Sequence, residues 1–238
     1  MEEQLLQAER LASLGELSAG VAHEVNNPLG MILGYTQLLL RTEPKDTQNY
    51  NDLKIIEKHA RNCKAIVEDL LNFARSSETQ KGVLNVNDLI HEVISVVDHQ
   101  FKLDNITIET ALDTSIPTLY ADGEKLKQVF MNLLVNAKQA IEVQGQIQII
   151  TAHDSSRDEV TVTVVDTGSG IPPEVQEKIF DPFFTTKPTG QGTGLGLSVS
   201  YGIIKDHHGE IFVQSTPGKG STFTITLPVT FDEGEETR

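Results

Sequence analysis

The chain has 238 residues, enough for two modest domains or one large one, and 38% of them are apolar, enough to build a core. A formal net charge of −15 argues against nucleic acid and anionic lipid as partners, since an acidic exterior repels both. The single cysteine, Cys63, excludes an internal disulfide and fits a reducing compartment such as the cytoplasm, and no apolar run approaches the ~20 residues that span a bilayer.

The polar start, MEEQLLQAER, is unlike a signal peptide and opens inside a predicted helix, as a segment of a longer protein would. Residues 5–41 predict one long helix, with apolar or small residues at Leu11, Leu14, Ser18, Val21, Val25, Pro28, Ile32, Tyr35 and Leu39. The steps alternate three and four, which is a heptad seam. Pro28 should bend this helix, because proline lacks a donor and crowds the preceding turn. Thr42–Thr47 predicts a turn, and a second helix over about 49–76 repeats the seam at Leu53, Ile56, Ala60, Cys63, Val67, Leu70 and Ala74. Together they make a helical hairpin over residues 1–76. A second stripe, Leu17, Leu38, Ile66, Leu71 and Phe73, is left over. A twin hairpin would cover it, giving a dimeric four-helix bundle. All of these apolar positions, Cys63 included, are expected to be core.

A polar linker follows, Ser76–Gly82, with 77–83 separating the two domains. Leu84 and Val86 then predict a short strand, Asn87 a cap for a helix over 88–102, and Ile106–Leu112 a strand. Asp122 should cap a helix of about 123–143, and Gln146–Ala152 and Val160–Val165 are β-rich. The Gly/Pro/Thr-rich stretch 166–193 is too long for an ordinary connection and is expected to be a functional loop. A helix over about 194–207 and strands near 210–215 and 221–228 complete the pattern, before an acidic tail, 231–238. The fold class is α+β: a long helical hairpin, then an α/β two-layer domain with a mixed sheet over 84–230.

Four groups of residues carry chemistry. His23 falls at the exposed f position if Val21 and Val25 are d and a, with Glu24 beside it and Asn27 one turn on. An exposed imidazole stays largely neutral and nucleophilic near pH 7, and a neighbouring carboxylate can orient it and accept its proton. His91 also begins a His-Glu-Val run but lies outside the hairpin, and neither run has the second histidine of a zinc motif. His59, His99, His153, His207 and His208 read as structural or surface groups. Asn132 and Asn136 lie four apart on one helix, beside core residues, and need polar partners. Asp166-Thr-Gly-Ser-Gly170 ends an apolar strand; alone it also fits an aspartic protease, which would require a second copy that the chain lacks. Gly190 to Leu197 is a glycine-dense entry to a helix, where backbone amides can approach phosphate.

Taken together, these segments resemble the sensor histidine kinases of two-component systems. LASLGELSAGVAHEVNNPLG is similar to the family's phosphoacceptor box and QVFMNLLVNA to its asparagine box. VVDTGSGIPPEVQEKIFDPFFTTK, GQGTGLGLS and GKGSTF are similar to its glycine and phenylalanine boxes, in the family's order across residues 5–230. The resemblance implies a phosphotransfer hairpin and a Bergerat-type domain that binds ATP with Mg²⁺. It implies that His23 accepts the phosphoryl group, Glu24 is its acid/base partner, and Asn27 positions a water for dephosphorylating a response-regulator receiver. Asn136 would hold Mg²⁺ with Asn132 beside it, Asp166 would meet the adenine amine, and Gly168 and Gly170 would let the base approach. Phe180, Phe183 and Phe184 would anchor a lid of about 171–193, Lys187 would touch phosphate, and Gly192, Thr193, Gly194, Leu195 and Gly196 would meet the triphosphate. Thr222 would lie near adenine. At the position three after Asn136 the family often carries a basic residue; here it is Gln139, with Lys138 adjacent, and neither is assigned to ATP. The implied partners are a second copy of the chain and a response regulator, and the implied setting is the cytoplasmic part of a longer sensor. The alternatives are a stand-alone ATPase of the same superfamily and a non-enzymatic dimeric scaffold.

Overall fold

The computed structural model describes residues 24–74, 80–187 and 192–229. They form two compact units: one holds the helical hairpin and, from later in the chain, Phe183–Leu195; the other holds Thr79–Pro182 and the chain from Gly196 onward. His23, the seam positions Leu11, Leu14, Ser18 and Val21, the stripe residue Leu17, the segment 75–79 and the acidic tail lie outside the described residues, as do the side chains of Ile66 and 68–74.

In the first unit, α1 (24–42) and α2 (Gln48–Ala74) form the hairpin. Thr47 caps α2, its hydroxyl accepting the Tyr50 N–H at 3.1 Å. The seam differs from the expected one. Inward positions on α1 are Asn26, Leu29, Leu33, Thr36 and Leu40, and on α2 Tyr50, Leu53, Glu57, Ala60 and Val67. Val25, Ile32, Tyr35, Leu39 and Ile56, expected inside, are 37–69% exposed in the single chain, and Cys63 is exposed too. The physical reason is that the α1 seam is displaced by one residue, a rotation of about 100°. Heptad spacing fixes how often an apolar residue recurs; with two neighbouring stripes it does not fix which one meets the partner helix. A polar tie crosses the seam where Gln37 of α1 donates to Glu57 of α2 at 3.3 Å, and Lys54 and Arg61 of α2 donate to the same carboxylate at 3.0 and 2.8 Å. Arg61 first, then Lys54 and Gln37, hold the Glu57 carboxyl down to about 2.

The second unit is a two-layer α/β domain. Its main sheet comprises β2 (Ile106–Leu112), β4 (Gly145–Asp154), β5 (Glu159–Asp166), β6 (Glu210–Thr216) and β7 (Gly220–Pro228), in the order β2-β4-β5-β7-β6. β2 runs parallel to β4 and every other pair is antiparallel, so the sheet is mixed. β1 (Gly82–Leu84) and β3 (Leu119–Ala121) form a separate two-stranded ladder. The helices α3 (Val86–Leu103), α4 (Gly123–Ala140) and α6 (Gly196–Asp206) form the second layer, and a single turn, α5 (Pro173–Gln176), interrupts the long loop. α4 packs against α3, α6, β5 and β7. Strand alternation supplies the sheet's core face: Ile147 and Ile149 of β4, Val160, Val162 and Val164 of β5, and Phe223, Ile225 and Leu227 of β7 are buried. Thr161, Thr163, Thr222, Thr224 and Thr226 occupy the other face and are half-buried.

Two caps differ in outcome. Asp122 caps α4 as expected, its Oδ1 accepting the N–H groups of Glu124 and Lys125, both at 3.1 Å. The cap of α3 is Asn85 rather than Asn87: Asn85 Oδ1 accepts the Asn87 N–H at 2.8 Å. The Asn87 side chain is used elsewhere, donating to Asp113 O and accepting from the Thr151 hydroxyl. The strand therefore stops at Leu84, and Val86 opens the helix. α4 ends at Ala140, three residues early, because Ile141 adopts an extended backbone (φ −93°, ψ 112°). No described helix is long and apolar enough to cross a membrane.

Candidate active site

Period-two alternation along β5 puts Asp166, its last residue, on the same buried face as Val160, Val162 and Val164. The carboxylate is 4% exposed. Its Oδ1 accepts the Gly168 N–H at 2.8 Å. The ladder pairs Asp166 with Ser221, whose N–H and hydroxyl also bond to the carboxylate. Burial pushes this carboxyl above its usual 3.8, and the bonds from Gly168 and Ser221 pull against that rise.

Thr222 is one residue further along β7, so its side chain faces the opposite side of the sheet from Asp166, beside Val165. The structure brings Ser221 to the carboxylate. The alternation of Phe223, Ile225 and Leu227 carries the signal that finds Ser221: odd-numbered residues of β7 point inward.

The turn after Asp166 needs glycine for reasons of its own. A Cβ on Gly168 would lie 2.6 Å from the Ala140 Cβ and 2.7 Å from the Ala140 carbonyl oxygen. The neighbouring Ser169 N–H donates to that oxygen at 2.9 Å. Gly170 has φ 71°, and a Cβ there would collide with the Thr216 carbonyl. Glycine at these two positions lets the turn fold onto the end of α4 and onto β6.

α4 extends from that turn to the start of α6. Asn136 lies about one helical turn before Ala140, and Asn132 one turn before that; both are half-buried. Asn132 Nδ2 donates to Gly196 O at 3.2 Å and to Ser200 Oγ at 3.4 Å, so its amide holds the first turn of α6. From Ala140 to Asn132 is about 12 Å at 1.5 Å per residue. Asp166 thus sits at one end of this line, the two asparagines along it, and the N-terminus of α6 at the other end. Lys138 is directed elsewhere: its ammonium pairs with Asp104 at 2.5 Å and lies over the Phe101 ring at 5.6 Å.

A cleft of about 450 Å³ is lined by Asp166, Ser221 and Thr222 together, with Gln176, Ser215 and Lys219. Gln176 Nε2 bridges the carbonyls of Ile171 and Ser215 at 2.8 and 2.9 Å. Neither Asn132 nor Asn136 lines this cleft.

The remaining expected nucleotide residues belong to the first unit. The Phe183 N–H donates to Gly194 O at 3.0 Å, and Gly194, with φ 68°, leaves room for the Phe183 and Phe184 carbonyls, which a Cβ would meet at 2.7 Å. Gly192 is crowded by Thr185 Oγ1 and the Lys187 side chain, and the Thr193 hydroxyl accepts the Leu195 N–H at 3.3 Å. Burial pushes the Lys187 ammonium below its usual 10.5. Of the three phenylalanines expected as anchors, Phe180 stacks at a tilt on Tyr201 with centroids 5.6 Å apart. Phe183 instead points outward, 56% exposed at φ 66°. Glu24 and Asn27 are exposed on the first turns of α1.

Comparison with known proteins covers both units. Residues 13–79 match the His Kinase A (phospho-acceptor) domain. Residues 121–230 match the histidine kinase-, DNA gyrase B-, and HSP90-like ATPase family. The solved catalytic domain of histidine kinase ThkA is 38% identical with a TM-score of 0.58, covering 63% of this chain and 97% of that one. The chain belongs to the histidine kinase family. The signal transduction histidine-protein kinase AtoS of Escherichia coli (strain K12) is 42% identical to this histidine kinase chain over 228 residues, 96% of the chain but 37% of AtoS. A crystal structure of ThkA in complex with the response regulator protein TrrA is 32% identical with a TM-score of 0.69, covering 96% of this chain and 66% of that one. His23 falls within the first domain match, and Asn132, Asn136, Asp166 and Ser221 within the second.

Proposed function

We propose that this chain is the transmitter part of a two-component sensor: it binds ATP with Mg²⁺ in its second unit, moves the γ-phosphoryl group onto His23, and passes it to an aspartate of a response-regulator receiver. The observation that carries the reading is the alignment along α4 of a buried carboxylate, two carboxamides and a helix N-terminus. That alignment matches what an extended nucleotide presents. An exocyclic amine donates to Asp166, and the phosphates lie toward the asparagines and Gly196. The residues fit Mg²⁺, which takes a few protein oxygens and fills its remaining positions with phosphate and water. Asn136 would hold it, and it would supply neutralisation of phosphate charge.

The step itself is a displacement. A ring nitrogen of His23 attacks the γ-phosphorus, the bond to the bridging oxygen breaks, and ADP leaves with the electron pair. Glu24, one residue away, accepts the ring proton. The receiver carboxylate then attacks phosphohistidine and frees the imidazole. Transfer needs the phosphate in line with His23, so the linker of 77–83 acts as a joint. Labelled phosphate from γ-labelled ATP should appear on the protein and be chased onto a receiver domain added afterwards. ATP hydrolysis without any labelled protein would point to a stand-alone ATPase.

The same helix face supports a second activity, removal of phosphate from the regulator. Asn27 can both donate to and accept from a water in line with a receiver's phosphoaspartate. Asn27→Ala should lose most phosphatase activity and keep substantial autophosphorylation, while Glu24→Ala should show the opposite bias. Parallel loss of both activities in both variants, assayed by label uptake and by decay of the phosphorylated regulator, would refute this division of labour.

A further inference from the structure

Besides their packing, side-chain hydrogen bonds tie α4 to the α6 segment at two well-separated places. One tie is Asn132 to Gly196 and Ser200, described above. The other, at the C-terminal end of α6 and the N-terminal end of α4, is made by His207, the residue directly after α6. His207 is 6% exposed. Its Nδ1 lies 2.7 Å from Ile203 O, and its Nε2 lies 2.9 Å from the backbone nitrogen of Asp122, the N-cap of α4. A carbonyl can only accept and an N–H can only donate, so the ring's protonation is fixed. Nδ1 carries the hydrogen and Nε2 presents the lone pair. Burial pushes the imidazole below its usual 6.5, in the same sense as this neutral form. The tie also reaches the start of the domain, because Asp122 Oδ2 accepts the Gln80 N–H at 3.0 Å.

We propose that His207 is a positioning residue for the nucleotide site: by accepting from the Asp122 N–H it fixes the register of α6 against α4, and so holds the N-terminus of α6 opposite Asn132 and Asn136. α4 cannot slide along α6 while both ties stand. Without the His207 tie the helices stay packed and the Asn132 amide still holds Gly196 O and Ser200 Oγ at 3.2 and 3.4 Å, but the end of α6 loses the hydrogen bond that sets its register on the N-cap of α4. The cost would appear as weaker nucleotide binding, because the phosphate-facing groups belong to both helices. This inference rests on the assignment of α4 and α6 to ATP.

Three variants separate the hydrogen bond from simple packing. His207→Gln can place an oxygen near the position of Nε2 and keep the acceptor. His207→Asn can serve Ile203 O but is too short to reach Asp122. His207→Leu removes both bonds and leaves the buried Asp122 N–H unmet. Autophosphorylation kinetics and direct Mg-ATP titration, with circular dichroism as the fold control, read the outcome. Losing the acceptor should raise KM for ATP about tenfold in the Asn and Leu variants, with kcat within about threefold of the parent, and Gln should restore KM to near the parent. If the Leu variant does not fold, the Asn-against-Gln comparison still decides. Parent-like KM in the Asn variant, or a Gln variant as weak as Asn, would overturn the proposal. A parent protein that binds no Mg-ATP would instead overturn the functional assignment beneath it.

Discussion

Asp166→Asn should bind Mg-ATP about a hundredfold more weakly than the parent, and the parent fold should gain stability as acid protonates Asp166. Both effects come from one buried carboxylate. Asp166 accepts from Gly168 and Ser221 and is proposed to accept from the adenine amine; an amide in its place offers one oxygen where the carboxylate offers two, and adds an NH₂ that faces other donors. The stability effect has the opposite sign. The folded-state carboxyl is raised above its usual 3.8, so its contribution to stability is present below that value and is lost as pH rises through the higher folded value. At pH 7 the ionised group therefore weakens the fold relative to its protonated form. The same shift predicts that nucleotide affinity in the parent falls as pH drops through the raised value, because protonation turns an acceptor into a donor. Calorimetric titration and thermal melting of both proteins check this; a variant that keeps parent affinity would show that adenine is read elsewhere.

The parent protein should be a dimer near twice 26.2 kDa, and Ile32→Asp with Leu39→Asp should reduce it to folded monomers. Val25, Ile32, Tyr35, Leu39, Ile55 and Ile56 leave a stripe of large apolar side chains exposed along the hairpin. A patch of this kind marks an interface. Two aspartates per chain would be buried unpaired in the dimer, at several kcal/mol each, but would sit in water in the monomer. The shifted seam sharpens the test. Val67 lies inside the single hairpin, so Val67→Asp should cost helical content as well as association, whereas the Ile32/Leu39 pair should cost association alone. Light scattering with circular dichroism separates the two. A parent that is a monodisperse monomer would contradict the dimer.

Legibility in the sequence followed the physics of each element. Strands of the second unit could be read because β4, β5 and β7 alternate cleanly against one helix layer, and Asp122 could be read as a cap because a short acidic side chain before an amphipathic run has few other uses. Asn87 misled because its amide serves Asp113 and Thr151, partners 26 and 64 residues away that no local rule contains. The hairpin seam misled for a different reason: two apolar stripes one residue apart satisfy the same period, and only packing chooses between them. Asp166 and the asparagines stand out in the sequence as a motif, whereas the contact of Ser221 with the Asp166 carboxylate follows only from the strand's inward parity. His207 resembled any other histidine until the fold placed the Asp122 N–H against its ring.

The central claim is that phosphate moves from ATP to His23, and the most direct test compares the parent with His23→Gln after incubation with γ-labelled ATP and Mg²⁺. The parent should take up label that is lost in acid and kept in alkali, as an N–P bond requires. The variant should bind nucleotide as the parent does and take up none. Undiminished labelling of His23→Gln, or label on the parent that survives acid and is lost in alkali, would contradict the account.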